Sequence, residues 1–92
     1  MLEVKAVSLE VIETMLHNLK INKVFFTPVL EQIKTFEIRK NDRDFHIGDE
    51  VILNEWDDEK QQYTGRNVKV EILYITDYEQ KDNYVVFSFK TV

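Results

Sequence analysis

Lys34-Thr35-Phe36-Glu37-Ile38-Arg39-Lys40-Asn41-Asp42-Arg43, followed shortly by Gly48-Asp49, is the stretch on which the reading of this chain turns. Phe36 and Ile38 alternate with Thr35, Glu37 and Arg39, the period-2 pattern of a strand. On this pattern the apolar pair is expected in a core and the polar set on the opposite face. Asn41-Asp42-Arg43-Asp44 is too polar and turn-prone to prolong the strand. A row of Lys, Glu and Arg at the mouth of a small β-structure is equipped to hold something polar, flat or anionic. The plainer reading is a solvated strand face whose charges neutralise one another, which is ordinary on antiparallel sheets.

Working outward, the chain has 92 residues, 43% of them hydrophobic and 12% aromatic, which is enough for one globular domain. Only 2 Gly and 1 Pro argue against disorder, and the absence of Cys excludes a disulfide scaffold or a thiolate metal site. No apolar run approaches the ~20 residues of a membrane span, and the N-terminus lacks a signal-peptide pattern. The expectation is a soluble, cytoplasmic protein with no membrane partner and no cofactor. A net charge of −5 makes the whole chain a poor binder of nucleic-acid backbone, and no DNA partner is expected. Residues 34–43 are the local exception, with four basic and two acidic side chains, net +2.

In chain order, Leu2, Val4 and Ala6 alternate as a short strand does. From Ser8, an N-cap residue, Leu9, Ile12 and Leu16 fall at helical spacing with Glu10 in the first turn, which predicts a short helix over about 8–14. A strand follows at roughly 16–21 with His17, Leu19 and Ile21 on one face; His17 reads as a structural hydrogen-bonder before it reads as a ligand or base. Phe26, Val29, Leu30 and Ile33 predict an amphipathic helix on the sheet over about 23–33. Pro28 leaves two readings open there: a helix starting near Thr27 with Pro28 in its first turn, or a kinked one. Gly48-Asp49 opens a strand from Val51 to Trp56. Residues 57–62 read as an exposed hairpin loop closed by Tyr63-Thr64-Gly65-Arg66. Val68, Val70, Ile72 and Tyr74 alternate as a strand. After a polar turn over 77–83, the last strand points Val85, Phe87 and Phe89 inward. Short strands joined by polar turns favour a mostly β, α+β fold: a small antiparallel barrel with one internal helix and an N-terminal one.

No Gly-rich phosphate loop, HExxH or metal-spaced cluster is present. Ser8 and Ser88 lack a nucleophile context. Residue types alone therefore assign no catalytic residue and no metal.

The run His17-Asn18-Leu19-Lys20-Ile21, then Phe26, the central Lys34-to-Phe45 string, Gly48-Asp49, Glu55-Trp56-Asp57 and Tyr63-Thr64-Gly65-Arg66 resembles the ASCH-type, PUA-like small β-barrels. It is most similar to the branch of short bacterial and phage proteins called DUF3850, a domain of unknown function. The resemblance covers about residues 16–91. It implies a PUA-like domain over 16–92, with residues 1–15 an extension and Met15 a candidate alternative start.

ASCH-like proteins carry Gly-x-Lys-x-x-Glu-x-Arg at the lip of a cleft thought to bind RNA or a nucleotide-like ligand. Lys34, Glu37 and Arg39 match in place, while Gln32 stands where the glycine is expected. Glycine there suits a left-handed helix C-terminus, so Gln32 is strained if that geometry is kept. Lys34 then supplies a point charge to a phosphate, Arg39 a planar fork, and Glu37 an acceptor for a base edge. Asn41 and Arg43 extend the set, with a structural turn as their plainer role. Trp56 and Tyr63 are candidate stacking platforms, and Arg66 a further ligand contact.

A superfamily relative is a small amidohydrolase acting on a modified cytidine, with a nucleophilic Thr three residues after the Lys. Glu37 occupies that position here, and Glu55 or Glu71 would have to serve as the distant glutamate. Hydrolysis of a modified nucleoside is therefore the second expectation. The third is a phage-derived module that binds a host protein through acidic segments 55–59 and 77–82.

Overall fold

The computed structural model describes residues 13–92. Most of the helix expected over 8–14 lies outside the described residues, and Glu13, Thr14 and Met15 carry no regular structure. Five strands and one helix follow: β1 (Leu16–Asn22), α1 (Lys23–Leu30), β2 (Phe36–Lys40), β3 (Glu50–Asp57), β4 (Gln62–Thr76) and β5 (Tyr84–Thr91). They form one five-stranded sheet in the order β1-β3-β4-β5-β2, parallel only between β1 and β3. The fold is mostly β, of the small α+β kind.

The sheet curls as a half-barrel whose ladder does not close. β1 and β2 are its edges, and side chains of β2 and the turn after it reach across the seam instead. Arg39 Nη2 donates to the Lys20 carbonyl at 2.5 Å, and Arg43 Nη1 to the Asn18 carbonyl at 3.1 Å. Two carbonyls of the β1 edge, left without a strand neighbour, are thereby satisfied by guanidinium groups.

The core is filled from alternate positions, as period 2 requires. Leu19 and Ile21, Val51 and Leu53, Val70 and Ile72, and Val85, Phe87 and Phe89 all point inward, with Phe26 and Val29 of α1 and Phe45 of the loop before β3. The inward sets expected for β1 and β5 are found. Tyr74 is not inward: the register slips between Ile72 and Tyr74, and the extra residue turns Tyr74 outward and brings Ile75 against the core.

The helix begins where its apolar spacing predicts but ends three residues early. It starts at Lys23, with Asn22 Oδ1 accepting from the Val24 amide at 3.1 Å, so Asn22 and not Thr27 is the cap. Pro28 lies inside, near the end. Its carbonyl takes the amides of Ile33 and Lys34, while Gln32 at φ 59° donates its amide to the Val29 carbonyl. These are the paired bonds of a Schellman stop, with Gln32 at the left-handed position usually held by glycine. The helix thus ends at Leu30, and Leu30 and Ile33 face solvent rather than the core.

The hairpin after β3 is tighter than expected. Tyr63-Thr64-Gly65-Arg66 belongs to β4 rather than to the loop, and Thr64, Gly65 and Arg66 together oppose Glu55 in a register slip where Gly65 has φ 93°.

Candidate functional site

β2 is built in the opposite phase to the one its apolar pattern predicts. Glu37 is 5% exposed, whereas Phe36 and Ile38 are 44% and 55% exposed. A buried carboxylate is tolerated only when its charge is met, and Glu37 is met from both sides. Lys34 Nζ bonds Glu37 Oε1, and Arg39 Nε donates to Oε2 at 2.8 Å. Lys34 also donates to the Phe36 carbonyl at 2.6 Å. The alternation placed Glu37 and Arg39 on one face correctly, but that face is the inner one.

The triad floors a cleft of about 410 Å³ at the seam between β1 and β2, beside the start of α1. Lys20, Asn22, Phe25, Phe36 and Ile38 form the rest of its wall with Ile21. Two cations, Lys34 and Arg39, meet one carboxylate and Lys20 adds a third positive residue to the lining, so the cleft is positive in an acidic chain. The Lys34 ammonium lies 4.9 Å from the Phe36 ring centre and 5.5 Å from that of Phe25. Both rings are about half exposed and offer apolar faces that the core does not use.

The other expected site residues sit elsewhere. Asn41 holds the turn after β2, its Oδ1 accepting from the Phe45 amide at 3.1 Å. Arg43 closes the seam and pairs loosely with Asp42 at 3.9 Å. Arg66 grips buried Glu55, Nε to Oε1 at 2.8 Å and Nη2 to Oε2 at 2.9 Å, while Thr64 Oγ1 donates to Oε1 at 2.5 Å. The Arg66 guanidinium also lies 5.0 Å from the Phe26 ring centre, so its role is to close the β3–β4 bulge over α1. Trp56 and Tyr63 are cross-strand partners in an edge-to-face contact with centres 4.9 Å apart, on the outer surface next to Lys20.

The groups a hydrolase would need are not gathered at the cleft. Thr35 lines a separate hollow with Val29, Gln32 and Phe89. Glu55 is held by Arg66, and Glu71, on β4, is the register partner of Glu50 on β3 and Lys90 on β5. The acidic segment 55–59 is also less of a face than its composition suggests, since Glu55 and Asp57 are buried.

Three buried carboxylates titrate below their ordinary values. For Glu55 the Arg66 hydrogen bonds are the main cause, opposed by burial and aided by Thr64. For Asp57 the Lys60 amide leads, again against burial, with Lys23 and the Glu59 amide assisting. For Asp49 burial pushes upward most strongly, but the His17 ring and the amides of Met15 and His46 together outweigh it. His17 Nε2 donates to Asp49 Oδ2 at 2.8 Å in the interior, with its ring edge-on to Phe45. His17 is thus a buried structural hydrogen-bonder that ties the loop before β3 to β1.

Sequence reasoning missed Lys20, Phe25 and Phe36 as cleft residues. Lys20 was legible as an outward position in the His17, Leu19, Ile21 alternation; Phe36 read as core, and Phe25 fell outside the apolar spacing of Phe26, Val29, Leu30 and Ile33. Among the described residues no cluster of three or more His, Asp or Glu is placed to hold a metal, and no helix is long and apolar enough to cross a membrane.

A family model described as a domain of unknown function, DUF3850, matches residues 16–89. The chain is also similar to an uncharacterised 12.9 kDa protein of Escherichia phage P2, from the region 3′ of GpA, being 40% identical over 62 residues. That match covers 67% of this chain and 55% of the phage protein, so the chain spans just over half of this relative's length. The chain belongs to the DUF3850 family.

Proposed function

We propose that this DUF3850 protein, as a PUA-like module of the ASCH kind, binds RNA or a nucleotide-like ligand in the cleft between β1 and β2. The observation that carries the reading is the pair of half-exposed rings, Phe25 and Phe36, flanking the Lys34–Glu37–Arg39 triad. An aromatic wall beside cations and one fixed carboxylate suits a flat base with a phosphate attached. In this reading Glu37, held rigid by Lys34 and Arg39, accepts from a base amino or imino group. The remaining donors of the two cations turn to carbonyl or phosphate oxygens. The volume, about 410 Å³, is in the range of small-ligand sites.

The test is fluorescence polarisation with single-stranded and hairpin RNA at low and moderate salt, for the wild type and Phe36→Ala. Phe36 is exposed, so its loss leaves the fold intact while removing a stacking surface worth about 1–3 kcal/mol, or about 5- to 150-fold in Kd. Salt-sensitive binding weakened by this substitution supports the reading. Absence of binding up to about 100 μM, a Kd beyond the useful range for a specific site, refutes it. Turnover of a modified nucleoside in the same cleft, or salt-tolerant capture of a host protein, would instead favour the hydrolase or interaction-module reading.

A further inference from the structure

Of the three basic residues that line the cleft, two are already engaged there. Lys34 and Arg39 hold Glu37 and the carbonyls of Phe36 and Lys20. Lys20 differs. Among the described residues no carboxylate lies within ion-pair distance of it, and its ammonium rests 4.0 Å from the centre of the Trp56 ring. Trp56 is also the register partner of Asn22, itself part of the cleft wall. Lys20 thus lines the cleft with Phe25 and Phe36 and also touches Trp56, which in turn packs on Tyr63, itself 55% exposed.

We propose that the ligand is a single-stranded RNA segment of at least two nucleotides rather than a free nucleotide, with Lys20 as the residue that takes the linking phosphate. One base lies against Phe36 in the cleft, and the next lies on the indole face that Lys20 now covers. The inference rests on the nucleotide-binding reading above and names its substrate class. An exposed cation–π contact is weaker than a charge-assisted hydrogen bond to phosphate, so a phosphate at the rim draws the ammonium off Trp56. The uncovered indole face is then apolar surface in water, and a neighbouring base is the group that covers it. Ligand and platform are thus coupled through a single lysine.

The protein carries its own reporter, because Trp56 is its only tryptophan. Wild-type protein is titrated with adenosine 5′-monophosphate and with the dinucleotide adenylyl-adenosine, following Trp56 emission and, separately, affinity by calorimetry. The expected result is that the dinucleotide binds about tenfold more tightly, as one added base stack requires, and quenches Trp56 while the mononucleotide does not. In Lys20→Met, oligoadenylate binding weakens and its log–log salt dependence falls by about 0.7, the loss of one phosphate contact. Lys81→Gln, the same loss of charge in the turn before β5, changes neither. Equal affinity or equal quenching by the two ligands, or an unaltered salt dependence in Lys20→Met, overturns the inference and leaves mononucleotide binding standing. No binding of either ligand overturns both.

Discussion

The inverted phase of β2 makes a prediction that opposes intuition about which residue in Phe36-Glu37-Ile38 matters to folding. Ile38→Thr keeps a β-branched side chain and removes apolar volume from a position that is 55% exposed. Its expected cost is at most about 0.5 kcal/mol, as for other surface changes. Were Ile38 packed inside, the same change would leave a cavity and bury a hydroxyl, at about 2–4 kcal/mol. Glu37→Gln acts in the reverse sense. It removes the charge that answers Lys34 and Arg39 and turns an amide N–H₂ toward one of those donors. Loss of one partner from a fully buried pair costs about 3–5 kcal/mol. Here the Lys34 and Arg39 side chains retain 16% and 24% exposure and recover some hydration. About 2 kcal/mol is the resulting expectation. In urea, with a slope of about 1–1.5 kcal/mol per molar for a domain of this size, the midpoint falls by roughly 1.5 M. In thermal melts the drop is about 8–16 °C. Trp56 emission and far-ultraviolet circular dichroism give independent readouts. A larger loss in Ile38→Thr than in Glu37→Gln would refute the assignment of Glu37 to the interior and, with it, the account of the seam.

Two further outcomes follow from the same geometry. Gln32 holds a left-handed φ of 59° at the helix stop, so Gln32→Gly relieves backbone strain and raises stability by about 0.5–1 kcal/mol, net of the freer unfolded chain; a lower urea midpoint would contradict the strain argument. Asp49, Glu55 and Asp57 titrate below their ordinary values of 3.8, 4.5 and 3.8, so the folded state binds fewer protons than the unfolded one as pH falls. Their stabilisation is complete above about pH 5 and is lost progressively below about pH 4, through the depressed folded values. Urea midpoints measured from pH 7 to pH 3 are expected to be flat and then to fall, less steeply in Glu55→Gln; stability that rises toward pH 3 would exclude this linkage.

Much of the scaffold was legible in the sequence for a local reason. Alternation in His17, Leu19 and Ile21, and in Val85, Phe87 and Phe89, places inward residues wherever the apolar set is the set that packs. Polar runs after Lys40, Asp57 and Thr76 marked the turns, because such residues satisfy their backbone locally and bury little. The left-handed position of Gln32 was expected from the family resemblance, which puts a glycine there, and not from spacing or composition. The match of Lys34, Glu37 and Arg39 was also readable in sequence, and these three do share one cleft.

What the tertiary structure alone decided was which face is inside and which distant groups meet. Period 2 states that Phe36 and Ile38 share a face opposite Glu37; it does not state which face is buried. That choice depends on Lys34 and Arg39 converging on Glu37, and on β2 being an edge strand whose outer side chains are left to solvent. The bulge between Ile72 and Tyr74 is likewise invisible in alternation, since an inserted residue changes phase without changing composition. Lys20 and Phe25 reach the cleft because the sheet curls until β1 faces β2 and α1 stands at the end of the seam. The Lys34, Glu37 and Arg39 triad was therefore readable in sequence, but its meeting with Lys20 and the two rings required the curvature of the sheet, a property of all five strands together.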